Sequence, residues 1–280
     1  MSACEVCGGS VADLRLGACV LERCSRCGHL RRDLVRAPAH HRDHAYGGDP
    51  TLDAARLRLT HRALVADGAP GSVFEIGYGA AGLLRAFHDD GASIAGADPD
   101  QLERDVDPVV VAHGRLHACG IEEVPAGEPP VDLVYGIHVL EHVVDPLETL
   151  RRTHALLRPG GSAHFFTPAG DWAGLRAAAD GWWMLEDPTH VRFFTADSLE
   201  RCARAAGFDD VEIRRPALDS VVNDAASAIR RLRPMTRPAG VLAQRSTMAL
   251  AAATLPLTVT TRALVPRLRP TLHLVARRPA

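Results

Sequence analysis

The stretch Val73-Phe74-Glu75-Ile76-Gly77-Tyr78-Gly79-Ala80-Ala81-Gly82 decides how the rest of the chain is read. Val73 to Ile76 has the apolar character of a short buried strand. Gly77, Gly79 and Gly82 then predict a tight turn, and Leu83 to Phe87 opens a helix. Glycine allows the sharp turn and lets a ligand approach where a Cβ would clash. The first N–H groups of the helix have no partner within it and face that ligand.

The spacing Gly77-x-Gly79-x-x-Gly82, with Asp98 downstream, fits a dinucleotide fingerprint. Glu75 points to another ligand. A carboxylate at the end of the strand suits a positively charged amine better than a pyrophosphate. Further strands are predicted at Ser93–Ala97, Val131–Tyr135, Ser162–Thr167, Phe208–Arg214 and Thr271–Ala276, with short strand-like pieces at Val109–Val111 and Leu116–Ala118. Helices are predicted over Leu52–Ala66, Gly82–Asp89, Leu147–Leu157 and Ser198–Ala206. This alternation implies an α/β doubly wound sheet.

Three segments occur in a telling order: Glu75-x-Gly77-x-Gly79-x-x-Gly82, then His138-Val139-Leu140-Glu141-His142-Val143-Val144-Asp145-Pro146, then Leu157-Arg158-Pro159-Gly160-Gly161. Together they resemble the class I S-adenosylmethionine-dependent methyltransferases, and the resemblance implies a Rossmann-like seven-stranded methyltransferase sheet. It also implies that Glu75 lies near the methionine amino end, with Gly77, Gly79 and Gly82 beneath the cofactor. Asp98, followed by Pro99, would accept hydrogen bonds from both ribose hydroxyls, as a carboxylate can. Ile121 and Glu122, after Gly120, would pack around the adenine. His138 would lie near the reacting centre. A nicotinamide oxidoreductase on the same loop would need a proton relay such as a Tyr-x-x-x-Lys pair, and the sequence contains no Lys.

Cys4-x-x-Cys7 and Cys24-x-x-Cys27 are separated by sixteen residues, a spacing that predicts a four-cysteine zinc ribbon. A closed four-thiolate site has no open position, so its metal would be structural; Cys19 is left over. His138-x-x-Glu141-His142 satisfies a zinc-peptidase pattern that requires one continuous helix, but here it follows a strand. Some methyltransferases of quinone biosynthesis bind a divalent ion at this corner through an acid where this chain has His138, so hydrogen bonding that holds the corner is the simpler reading of Glu141 and His142. His40, His41 and His44 match no familiar ligand spacing and read as an exposed linker, with a second metal site as the alternative.

Trp182, Pro188, His190, Phe193, Phe194, Thr195 and Leu199 resemble the acceptor-side region of small-molecule methyltransferases. Aromatic residues after the fifth strand can wall off an acceptor pocket. His190 is a candidate general base and is equally well read as a packing residue.

The domains expected are a zinc ribbon (1–36), a linker and helix (37–70), a methyltransferase core (71–215), a helical cap or insert (216–270), and a last strand with its tail (271–280). Residues 215–280 hold 11 Arg against Asp219 and Asp224, whereas the other 214 residues hold 21 Arg against 32 acids. This basic segment could meet a membrane or a lipid-linked acceptor, but Pro234, Pro238 and Pro256 are expected to break a long interfacial helix. Neither the ribbon nor this segment carries aromatics for stacking bases, which argues against nucleic acid. No signal-peptide pattern is read at the N-terminus, and a cytoplasmic location is expected. The function expected is methyl transfer from S-adenosylmethionine to an oxygen or nitrogen of a small-molecule, sugar or lipid-linked acceptor. The alternative is a zinc-ribbon nucleic-acid-binding protein with a degenerate methyltransferase body.

Overall fold

The computed structural model describes residues 3–38, 48–99, 105–233 and 240–280. His40, His41, His44, Pro234 and Pro238 lie outside them. The elements in chain order begin with β1 (Val11–Leu16), β2 (Cys19–Cys24), β3 (Leu30–Arg32), α1 (Pro50–Leu64), β4 (Ser72–Ile76), α2 (Gly82–Asp89), β5 (Ser93–Ala97), α3 (Pro108–His113) and β6 (Arg115–His117). They continue with β7 (Val131–Ile137), α4 (Pro146–Leu156), β8 (Leu157–Pro168), α5 (Leu175–Ala178), β9 (Arg192–Phe193), α6 (Ala196–Ala205), β10 (Asp210–Arg214), α7 (Asn223–Leu232), α8 (Arg245–Leu264) and β11 (Thr271–Arg277).

The chain divides into two compact units. One gathers residues 56–166, 200–213 and 273–280; the other gathers 1–55, 167–199 and 214–272.

The first unit is built on a seven-stranded sheet of order β10-β11-β8-β7-β4-β5-β6. β4 lies between β5 and β7 and is parallel to both, and β5–β6 and β7–β8 are parallel pairs. The strand β4 is buried along its whole length, as a central parallel strand covered on both faces should be. Its core includes Val73, Leu84, Phe87, Ile94, Leu133 and Tyr135. The chain runs outward from β4 to β6 and then returns to β7. That reversal opens a crevice at the carboxyl ends of β4 and β7, where open α/β sheets bind ligands. This is the Rossmann-like methyltransferase sheet the sequence implied.

Four local expectations need correction. Val109–Val111 is helical, because Asp107 caps the Val109 and Val110 N–H groups and Pro108 takes the first helical position. β8 starts at Leu157, opposite Val131, so the Arg158–Gly161 turn becomes an irregularity inside the strand and not a loop before it. α6 starts at Ala196, because Thr195 and Ser198 cap each other's N–H groups. Pro256 does not break the C-terminal helix: α8 runs 20 residues through it. Hydroxyls of Thr254, Thr260 and Thr261 donate to carbonyls one turn back along this helix. No helix among the described residues is long and apolar enough to cross a membrane.

The second unit holds an antiparallel sheet of order β1-β2-β3-β9. The first three strands come from the N-terminal cysteine segment, and the fourth lies about 160 residues later. α7 and α8 also belong to this unit. The buried Arg262 of α8 joins them by an ion pair with Asp224 at 2.7 Å.

Candidate functional site

The loop from β4 to α2 carries three left-handed residues: Gly77 (φ 72°), Gly79 (φ 51°) and Ala81 (φ 62°). The sequence assigned the third special position to Gly82, but Gly82 serves packing. A Cβ there would come within 2.6 Å of Leu57 on α1. A Cβ on Gly79 would meet nothing within 4 Å, so the loop leaves open space above it. The Gly79 N–H donates to Asp98 Oδ2 at 2.7 Å, which ties the glycine loop to the carboxyl end of β5. Asp98 is buried, yet it stands beside that open surface.

Glu75 is turned inward. It is buried, and its Oε2 accepts the Tyr135 hydroxyl at 3.1 Å. Burial holds its carboxyl well above the usual carboxylate range, against the lowering effect of the Tyr135 hydroxyl and the Leu84 N–H. Leu84 lies in the first turn of α2, so Glu75 fixes the helix that follows the glycine loop. Ile121 is buried in a short 3-10 turn, and Glu122 accepts the Thr149 hydroxyl from α4 at 2.5 Å. Pro99 is exposed directly after Asp98.

His138 follows the last residue of β7 and takes φ 57°. A left-handed side-chain-bearing residue costs roughly 1 kcal/mol, and such outliers gather at functional sites. Its Nδ1 lies 2.8 Å from Glu141 Oε1, and Glu141 is fully buried. A carboxylate accepts, so Nδ1 carries the proton and the ring's lone pair sits on Nε2. Residues 138–145 form a turn, which removes the helix a zinc peptidase would need. The preference for a hydrogen bond at this corner agrees with the Glu141–His138 pair.

In the other unit, the sulfurs of Cys4, Cys7, Cys24 and Cys27 all lie within 4.8 Å of one another. Three of the separations are 3.4, 3.4 and 3.7 Å. A tetrahedral zinc with bonds of about 2.3 Å sets its sulfurs about 3.8 Å apart, so the cluster fits that ion. Burial raises the Cys24 thiol, but the N–H groups of Cys27 and Arg26 together with the neighbouring Cys7 and Cys27 thiols bring it down to about 6. Such N–H···S bonds favour the thiolate that binds metal. Cys19 stands outside the cluster.

His190 is buried, and its Nδ1 lies 2.8 Å from the Met184 carbonyl. A carbonyl can only accept, so Nδ1 is protonated and the lone pair again sits on Nε2. Its ring meets Phe193 edge-on, and Phe193 packs in turn against Trp182, which stacks near Trp172. Nothing in the residue pattern singles out Arg32. This buried guanidinium donates to the Ala37, Asp187 and Leu185 carbonyls at 2.8, 2.6 and 2.7 Å. Glu5, inside the first cysteine knuckle, was also missed. It pairs with His29 at 2.8 Å and Arg192 at 2.9 Å.

A family model described as a methyltransferase domain matches residues 39–213, well over half of the chain. Curated relatives include ubiquinone biosynthesis O-methyltransferases from Idiomarina loihiensis (30% identical over 50% of this chain and 63% of that one) and Cupriavidus pinatubonensis (31% identical over 59% and 71%). The chain thus spans a little under two thirds of the first of these. Among solved structures, the [4+2]-cyclase SpnF shares the fold at a TM-score of 0.55 and 18% identity, covering 87% of this chain and 89% of that one. A chain of the complex between the Haloferax volcanii Trm112 methyltransferase activator and a methyltransferase does so at 0.53 and 18%, covering 82% and 92%. The matched domain, the strand order and the glycine loop at the crevice agree, and the chain belongs to the methyltransferase-domain family.

Proposed function

We propose that the chain transfers a methyl group from S-adenosylmethionine to a hydroxyl oxygen of a small-molecule acceptor. The observation that carries this reading is the Gly79 N–H to Asp98 bond at 2.7 Å beside the open surface of the glycine loop. A carboxylate beside a backbone with no Cβ in the way suits donation from ribose hydroxyls, which supports this reading. The curated relatives named O-methyltransferases favour oxygen over nitrogen.

When bound, the cofactor supplies an electrophilic methyl on a sulfonium. Asp98 and Pro99, with the backbone of Gly77 and Gly79, would hold its nucleoside part, and Ile121 and Glu122 the adenine end. Glu75 would act by fixing the loop and the start of α2. His138 is suited to take the acceptor's proton, because Glu141 orients its ring and stabilises the charge it gains. His190 would face the acceptor with the lone pair of Nε2. The four cysteines would hold a structural zinc. The domain reading of ribbon, core and C-terminal helical cap goes with this function, as does a cytoplasmic setting. Peripheral membrane contact of the basic helical segment belongs to the same reading.

SpnF shows that this fold also hosts a cyclase, so the test must read the product. The chain is incubated with methyl-labelled S-adenosylmethionine and a panel of phenols and catechols. Labelled methyl ether with an equal amount of S-adenosylhomocysteine is expected. Release of neither from any acceptor, in a chain that binds the cofactor, would count against methyl transfer to this class.

A further inference from the structure

Segment 180–195 carries Trp182, Trp183 and His190, and little within it is regular: two single 3-10 turns and the two residues of β9. The N-terminal ribbon holds it at three places, beside the bonds that Ser227, Arg230 and Arg231 of α7 make to Trp183, Glu186 and Asp180. At the first, the turn between β1 and β2 sits on Asp180: the Ala18 N–H donates to Asp180 Oδ2 at 3.0 Å. A Cβ on Gly17 would collide with that carboxylate at 2.5 Å.

The second place is Arg32. Its guanidinium gathers the carbonyls of Leu185 and Asp187, and that of His190 at 3.4 Å. Beside it, β3 pairs with β9, with Leu30 opposite Phe193 and Arg31 opposite Arg192.

The third place is the cysteine cluster itself. Glu5 lies between Cys4 and Cys7 and pairs with Arg192. The Thr195 hydroxyl donates to the Cys27 carbonyl at 2.6 Å. Two of the four metal-ligand positions thus neighbour, or directly supply, a bond to this segment.

We infer that the cysteine ribbon, when it holds its metal, is the scaffold that shapes segment 180–195, and that Arg32 is the positioning residue that carries the ribbon's geometry to His190. This rests on the proposed zinc site and on the proposed place of His190 toward the acceptor. The physical reason is cooperative. A ribbon this small has too little core to hold its shape without the metal. Buried backbone carbonyls that lose the Arg32 donors must then find water or rearrange.

The test uses the full chain and needs no acceptor. All three Trp lie at 172–183, so emission excited selectively at tryptophan reports this unit. Zinc is counted by native mass spectrometry, then removed with a chelator. Loss of the metal is expected to shift Trp emission to the red and to raise quenching by acrylamide, while S-adenosylhomocysteine affinity stays unchanged. A chain that has lost its zinc yet keeps its emission and quenching would overturn the scaffold. A chain that never retains zinc would instead remove the metal site on which the inference rests.

Arg32→Met separates positioning from mere folding. It should retain zinc and S-adenosylhomocysteine affinity, yet lose the Nδ1-protonated tautomer of His190, read from histidine 15N signals assigned with His190→Gln. Arg32→Lys, which can still reach part of the carbonyl set, should restore that signal in part. An unchanged His190 signal in Arg32→Met would overturn the role of Arg32. If Arg32→Met fails to fold, Thr195→Val, which removes the bond to Cys27, takes its place in the fluorescence measurement. Quenching equal to wild type would then overturn the coupling.

Discussion

The glycine loop and the ribbon-bound segment are built in opposite ways. The loop is one continuous stretch whose geometry is written into its own residues. Gly77 and Gly79 supply the left-handed backbone, and Asp98 lies only one strand away. Segment 180–195 is held by Glu5, Gly17, Cys27 and Arg32, more than 150 residues earlier, and by Ser227, Arg230 and Arg231 of α7. Local sequence therefore specifies the first site. The second is specified by tertiary contacts and, in our proposal, by a metal.

The largest expected effect would break the second region and spare the first. Cys24→Ser removes one thiolate of four, and the chain should lose zinc and the ordered Trp environment. Structural zinc supplies about 10 kcal/mol or more to small metal-folded units. Metal stoichiometry and Trp emission check this, and a zinc-bound variant with native emission would contradict it.

The converse prediction is next in size. Asp98→Ala loses a charged acceptor worth about 3 kcal/mol, which corresponds to more than a hundredfold in the dissociation constant of S-adenosylhomocysteine. Zinc content and Trp emission should be unchanged. Equal affinity by calorimetry would remove Asp98 from the cofactor site.

Much of the first region was legible because it is local. The strands β4 and β5, the helix α2, the place of Asp98 and the order of the motifs follow from patterning and glycine spacing. The cysteine cluster was legible for the same reason, since two knuckles announce themselves by spacing. Two kinds of feature were not legible. The run Val109–Val111 reads as strand by side-chain preference, but one capping Asp and one Pro overrule it. Arg32 looks like any surface arginine next to Arg31 until the fold buries it among carbonyls. Glu75 was legible as an acid near the end of β4, but its inward turn to Tyr135 was not.

A third prediction concerns the corner at His138. Glu141→Gln keeps a hydrogen-bond acceptor for Nδ1 but removes the charge that stabilises the protonated ring. With any acceptor that turns over, kcat should fall roughly 10- to 100-fold, the usual range for a residue that orients and charges another. The acid limb of the pH–rate profile should move down, and S-adenosylhomocysteine affinity should hold. An unchanged rate and profile would reduce the pair to a structural contact.

The smallest effect expected is on pH dependence. The Glu75 carboxyl is raised above its ordinary value of 4.5, mainly by burial. The folded state therefore holds this proton more tightly than the unfolded chain, so the group's stabilising contribution is complete below 4.5 and is lost as pH rises. Glu75→Gln keeps the shape and one acceptor oxygen of the side chain but cannot ionise. Its thermal midpoint relative to wild type, without cofactor, should climb as pH rises above that value. A constant difference from acid to alkaline pH would show that Glu75 is not held in this way.

The most direct test of the central claim is a thermal unfolding titration of the full chain with S-adenosylhomocysteine, set against NAD. At about 100 times its dissociation constant a ligand adds roughly 2.7 kcal/mol, enough to move the midpoint by several degrees in a protein of this size. The account predicts a rise with S-adenosylhomocysteine that is absent in Asp98→Ala, and no rise with NAD. A rise with NAD and none with S-adenosylhomocysteine would contradict it.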